Sequence, residues 1–135
     1  MSANLPPIFR KLRELLSAHA ESFAITDDSE TRYGLEAPVG PATVRSWGGK
    51  VKLKTIPVAW VSVGKAYVSY HLMGLPGNAK LLASMSKELR SRMQGQSCFN
   101  FKEADDALLK EIAHLTSESL RAMRKAGFIG NVPPA

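Results

Sequence analysis

A two-layer α+β fold, with N- and C-terminal helices packed on one face of an antiparallel sheet, is predicted by three observations. Helical periodicity opens and closes the chain, over about 7–20 and 104–125. Alternating stretches rich in β-branched and aromatic residues fill the middle, most strongly over 50–73. Tight turns at 27–30 and 64–65 join neighbouring strands, and strands so joined pair antiparallel. The length of 135 residues suits a single domain over 1–135, with 1–6 and 129–135 expected as loose tails.

Each element has a local reason. Pro7 suits the first turn of a helix running to Ala20. Ile8, Leu12, Leu15, Leu16 and His19 recur on one side of it, and Arg10, Lys11, Arg13 and Glu14 lie largely on the other. Two short strands follow, 22–26 and 31–35, joined by the polar run Asp27-Asp28-Ser29-Glu30. A Gly/Pro-rich loop spans 37–49. A strand then runs from Val51 to Val63, with Pro57 at an edge position or bulge. Gly64-Lys65 has the form of a two-residue type II′ turn, with glycine first, and the return strand is 66–73. Asn78 and Ser86 are placed to cap two short helices reaching Ala83 and Met93. Gly95 closes that segment, and 97–101 forms one more strand. The last helix carries an apolar stripe of Leu108, Leu109, Ile112, Leu115, Leu120 and Met123. Glu103, Asp105 and Asp106 at its start and Arg121, Arg124 and Lys125 at its end complement the helix dipole, and Gly127 falls where a C-terminal cap belongs.

A turn at Gly64-Lys65 sets a register, and register sorts side chains onto faces. Pairing Val63 with Ala66 puts Ala59, Val61, Val63, Ala66, Val68 and Tyr70 on the core face. The outer face then holds Val58, Trp60, Ser62, Tyr67, Ser69 and His71, a mixture of aromatic and polar groups. If the strand continues backwards without a bulge, Lys50, Lys52 and Lys54 share that outer face. Lysines beside exposed rings suit a planar anion, such as a nucleotide or single-stranded nucleic acid. The same cross-strand aromatic and hydroxyl pairs also stabilise a hairpin that binds nothing.

Charge favours the same region. The formal net charge is +6, yet residues 37–102 hold ten Lys and Arg against one acid, Glu88. Such a segment attracts phosphate, nucleic acid or an acidic surface. Other function classes find little support. The single cysteine, Cys98, forms no internal disulfide, so a reducing cytoplasm is the expected location. The N-terminus lacks the basic and apolar regions of a secretory signal. The most apolar stretch, 56–73, is interrupted by Pro57, Gly64 and Lys65, so no membrane span is expected. Three scattered histidines and one cysteine lack zinc-site spacing, and no cofactor is expected. His19 and His114, with apolar neighbours, have the look of structural residues. Dinucleotide, phosphate-loop, zinc-protease and serine-hydrolase motifs are all missing, which counts against an enzyme. The one catalytic candidate is Cys98 as a nucleophile with His71 as its base, against the alternative of a small buried thiol.

The run Lys65-Ala66-Tyr67-Val68-Ser69-Tyr70-His71-Leu72-Met73 resembles the central hairpin of the YdhG-like family, a bacterial group of domains of unknown function. Residues 86–102 resemble the family's next block, and Gly95-Gln96-Ser97-Cys98-Phe99-Asn100-Phe101 is its most specific part. The likeness covers about Ile56 to Met123. It implies a curved antiparallel sheet with an outline similar to frataxin, and some members of the wider family are described as iron chaperones. Iron delivery needs oxygen ligands. The first helix here carries Arg10, Lys11 and Arg13 against the acids Glu14 and Glu21, so the resemblance transfers no iron ligands.

The expected function is that of a small cytoplasmic binding protein, a monomer or homodimer. It would contact an anionic small molecule, an acidic protein or nucleic acid through Lys50, Lys52, Lys54, Trp60, Tyr67, His71 and Cys98. The alternatives are a frataxin-like metal-delivery protein and a small Cys98/His71 enzyme.

Overall fold

A computed structural model of the chain describes residues 5–20, 23–38, 55–73, 75, 79–95, 97–103 and 105–126. The expected α+β architecture is present. Helix α1 (Leu5–Ser17) leads into strands β1 (Ala24–Asp28), β2 (Arg32–Pro38), β3 (Thr55–Val63) and β4 (Val68–Leu72). Two short helices follow, α2 (Ala79–Ser84) and α3 (Lys87–Ser91). Strands β5 (Met93–Gln94) and β6 (Cys98–Phe101) precede the long helix α4 (Asp106–Ala126). The strands form one open antiparallel sheet in the order β1-β2-β3-β4-β6-β5.

Alternation sends Tyr33, Leu35 and Ala37 of β2, Ala59 and Val61 of β3, Val68, Tyr70 and Leu72 of β4, and Phe99 and Phe101 of β6 to one face, where all are buried. Helices α1 and α4 cover that face. Helix α1 contributes Leu5, Ile8, Phe9, Leu12 and Leu16, and α4 contributes Leu108, Ile112, Leu115, Leu120 and Met123. One buried polar link crosses the layers. Thr116 of α4 donates to the Ile112 carbonyl at 2.7 Å, so the Tyr70 hydroxyl, 2.6 Å away, donates to the Thr116 oxygen.

The start of α3 follows its sequence signal at Ser86, whereas α4 starts at Asp106, two residues later than expected. Asp105 Oδ1 accepts from the Leu108 amide at 2.8 Å and caps α4. Ser86 Oγ accepts from the Leu89 amide at 3.1 Å and caps α3. The Glu111 carboxylate reinforces this cap from α4, accepting from the Ser86 amide and hydroxyl, each at 2.6 Å.

Several expectations need correcting. Helix α1 starts at Leu5, which is fully buried, so the loose N-terminal tail does not reach residue 6. Asp27 and Asp28 belong to β1, and the turn falls on Ser29–Thr31. There Ser29 Oγ accepts from the Arg32 amide at 3.1 Å, a local bond that a serine supplies to a turn. The β3–β4 turn is centred on Lys65-Ala66, one residue later than expected: Val63 faces Val68, and the Gly64 amide donates to the Tyr67 carbonyl at 2.8 Å. Gly64 does not have a positive φ, so the turn is not type II′; among the described glycines only Gly95, at φ 78°, occupies the left-handed region. A one-residue move of the turn shifts the partner by two, which preserves the faces of β3 and β4. Ala66 and Tyr67 are exceptions, because both lie in the exposed turn rather than in the ladder.

Strand β3 carries a bulge beside Pro57, one of the two positions expected for that proline. Leu35 faces Ala59 but Glu36 faces Pro57, which leaves Val58 as the extra residue. Val58 is fully buried instead of lying on the outer face. Pro57 sits at this slip, a position that tolerates proline. His114 is exposed rather than packed. The loop expected over 39–49, the Asn78 and Gly127 caps and the 129–135 tail lie outside the described residues.

Candidate functional site

The face opposite the helices carries a polar and aromatic cluster built from three strands. Pairing aligns Gly34, Trp60, His71, Cys98 and Gln94 in one row across β2, β3, β4, β6 and β5. The adjacent row aligns Arg32, Ser62, Ser69 and Asn100. Trp60 stacks on His71 with ring centroids 4.5 Å apart and planes at 15°. Gly34, opposite Trp60, presents no side chain to the row. His71 Nε2 lies 3.6 Å from Cys98 Sγ. The Cys98 thiol and the Ser69 hydroxyl both donate to Asn100 Oδ1, at 3.5 and 3.1 Å. Trp60, Ser62, Ser69, His71, Cys98 and Asn100 are all half-buried.

Partial burial sets the protonation states. Desolvation pushes the His71 imidazole below its ordinary value, and the Arg32 guanidinium adds to this. Desolvation pushes the Cys98 thiol up, with a Ser69 hydrogen bond opposing it. At neutral pH the pair is thus a thiol beside a neutral imidazole. A nucleophilic cysteine needs a depressed pKa, usually beside a cation. What this surface offers instead is an aromatic platform with neutral donors and acceptors along one edge.

Of the residues expected at the site, the structure brings Trp60, His71 and Cys98 into direct contact. It removes Tyr67 to the β3–β4 turn, where its side chain is 38% exposed. Lys50, Lys52 and Lys54 lie outside the described residues, and the premise that tied them to Trp60 fails, because the strand bulges at Val58. Asn100 and Arg32 were missed. Asn100 was legible from its spacing of two from Cys98, which puts both on one face of a strand. Arg32 had no such local signal, because only the β2–β3 pairing carries it beside Ser62.

Among the described residues no three His, Cys, Asp or Glu side chains gather as metal ligands, and no helix is long and apolar enough to cross a membrane. No family model, curated protein or solved structure matches the chain.

Proposed function

We propose that the protein is a small cytoplasmic ligand-binding protein whose outer sheet face receives a planar anionic molecule. The observation that carries this is the three-strand row Trp60–His71–Cys98, flanked by Ser69 and Asn100, on the sheet face opposite α1 and α4. The ring of the ligand lies against the Trp60/His71 platform, and its polar edge meets the thiol, hydroxyl and amide groups. The basic excess of residues 37–102 draws the anion in. Membership of the YdhG-like family is part of the same proposal and rests on the Gly95–Phe101 run.

One contact favours a second reading, a Cys98/His71 enzyme: the 3.6 Å approach of Sγ to Nε2. The opposed pKa directions weigh against it, because desolvation holds both groups neutral at rest. The frataxin-like alternative has no ligand cluster to support it among the described residues.

The test is a two-dimensional NMR titration with mononucleotides and short single-stranded oligonucleotides at low and high salt. The expected result is saturable shifts at the Trp60 indole, Ser69, His71 and Asn100, weakened by salt and lost in Trp60→Phe combined with Asn100→Ala. Shifts that avoid this face would overturn the proposal.

A further inference from the structure

A second basic surface belongs to the helix layer. Arg121, Arg124 and Lys125 in the last turns of α4 rim a cleft of about 500 Å³. Its wall is apolar, formed by Phe23 and Leu120, both nearly buried. The Ser117 hydroxyl and His19 Nε2, 3.5 Å apart, line it as well. The Arg124 guanidinium lies over the Phe23 ring, 5.5 Å from the centroid, which fixes a cation at the edge of an aromatic floor. A neighbouring cleft of about 300 Å³ shares Arg121 and Lys125 and adds Lys80 from α2.

Among the described residues these cations are poorly matched by carboxylates. Among the described residues Glu118 is the one carboxylate lining either cleft, and it lies 3.6 Å from Arg121. Among the described residues no carboxylate lies within 4 Å of Lys80, Arg124 or Lys125. The dipole of α4 accounts for only about half a charge at its C-terminus. It explains neither Lys80, on another helix, nor the apolar wall beneath the cations.

We propose that this cleft binds an organic phosphomonoester, with the phosphate on Arg124 and Lys125 and an apolar or ring portion against Phe23 and Leu120. Arg presents a planar fork of donors that matches phosphate oxygens, and Lys adds a point charge. The Ser117 hydroxyl adds a neutral donor. A bare inorganic ion leaves the Phe23 wall unused, so the ester binds more tightly than phosphate itself. The site is separate from the outer sheet face, and either stands if the other fails.

The experiment titrates phenyl phosphate and, separately, inorganic phosphate into the isotope-labelled full chain. Phenyl phosphate is expected to shift Phe23, Ser117, Leu120 and Arg124 amides saturably. Arg124→Gln should weaken it by about tenfold, the effect of losing one charge-assisted hydrogen bond. Lys65→Gln, on the β3–β4 turn, should leave it unchanged. Arg124 is exposed, so the variant should keep the native spectrum. Shifts that never saturate, equal affinity for the two phosphates, or an equal loss in Lys65→Gln would overturn the proposal.

Discussion

His71 and Cys98 meet across β4 and β6, yet each is held in the form that carries no charge. The His71 imidazole titrates below its ordinary value of 6.5, and so does the partly desolvated His19. In unfolded chain each takes up its proton near 6.5; in the native state only at lower pH. Between the two values the unfolded state holds more protons, so stability is present in full above the ordinary value. It is lost as pH falls through that window. NMR titration of the histidine ring protons checks the midpoints, and denaturant unfolding across the same range checks the loss. Cys98 behaves in the opposite sense. Iodoacetamide should label it slowly at pH 7 and faster as pH rises past the usual thiol range, and fast labelling at neutral pH would revive the nucleophile. Tyr70 shows a different residue-scale economy. Removing its hydroxyl in Tyr70→Phe leaves Thr116 still bonded to the Ile112 carbonyl, so no buried donor is orphaned. The expected cost is about 1 kcal/mol by chemical denaturation.

At the scale of elements, helices α3 and α4 are joined through a cap. Ser86 Oγ satisfies the Leu89 amide while Glu111 of α4 holds the Ser86 amide and hydroxyl. Ser86→Ala removes the cap and one arm of the Glu111 contact together. It should cost about 1–2 kcal/mol, more than a cap on an isolated helix end. Glu111→Gln keeps one acceptor oxygen but sets an NH2 donor where the other oxygen accepts, so it should lose one of its two bonds to Ser86 and leave the Ser86–Leu89 cap in place. The expected order is therefore Ser86→Ala below Glu111→Gln below wild type in thermal midpoint. The hairpin teaches a related lesson. Its faces were legible from alternation even though the turn was placed one residue early, because the move shifts the partner by two. The bulge at Val58 was legible only as a possibility attached to Pro57. Whether a strand slips depends on which partner residues line up across β2, and those lie more than twenty positions away.

For the whole molecule, β3 and β4 lie inside the sheet and under α1 and α4, while β1 and β5 are the outermost of the described strands. Amide hydrogen exchange should be slowest at Val61, Val68 and Tyr70 and fastest along β1 and β5, since edge strands open with less loss of packing. Exchange that is uniform across the sheet would contradict a single core shared by both helices. The two candidate sites divide along the same layers: a neutral aromatic row on the sheet face opposite the helices, and a cationic cleft in the helix layer.

The sequence by itself determined the fold class, the helix cap at Ser86, the amphipathic faces of α1 and α4, and the core and outer sides of β4 and of β3 from Ala59 onward. These follow from local rules of period, capping and alternation, which act over a few residues. Only the tertiary structure decided that His71 meets Cys98, that Asn100 receives both the thiol and Ser69, and that Phe23 lies under Arg124. Each of those contacts joins distant segments through strand order or helix packing. That order is chosen by how the whole core buries its apolar surface, a collective quantity that no short stretch of residues contains.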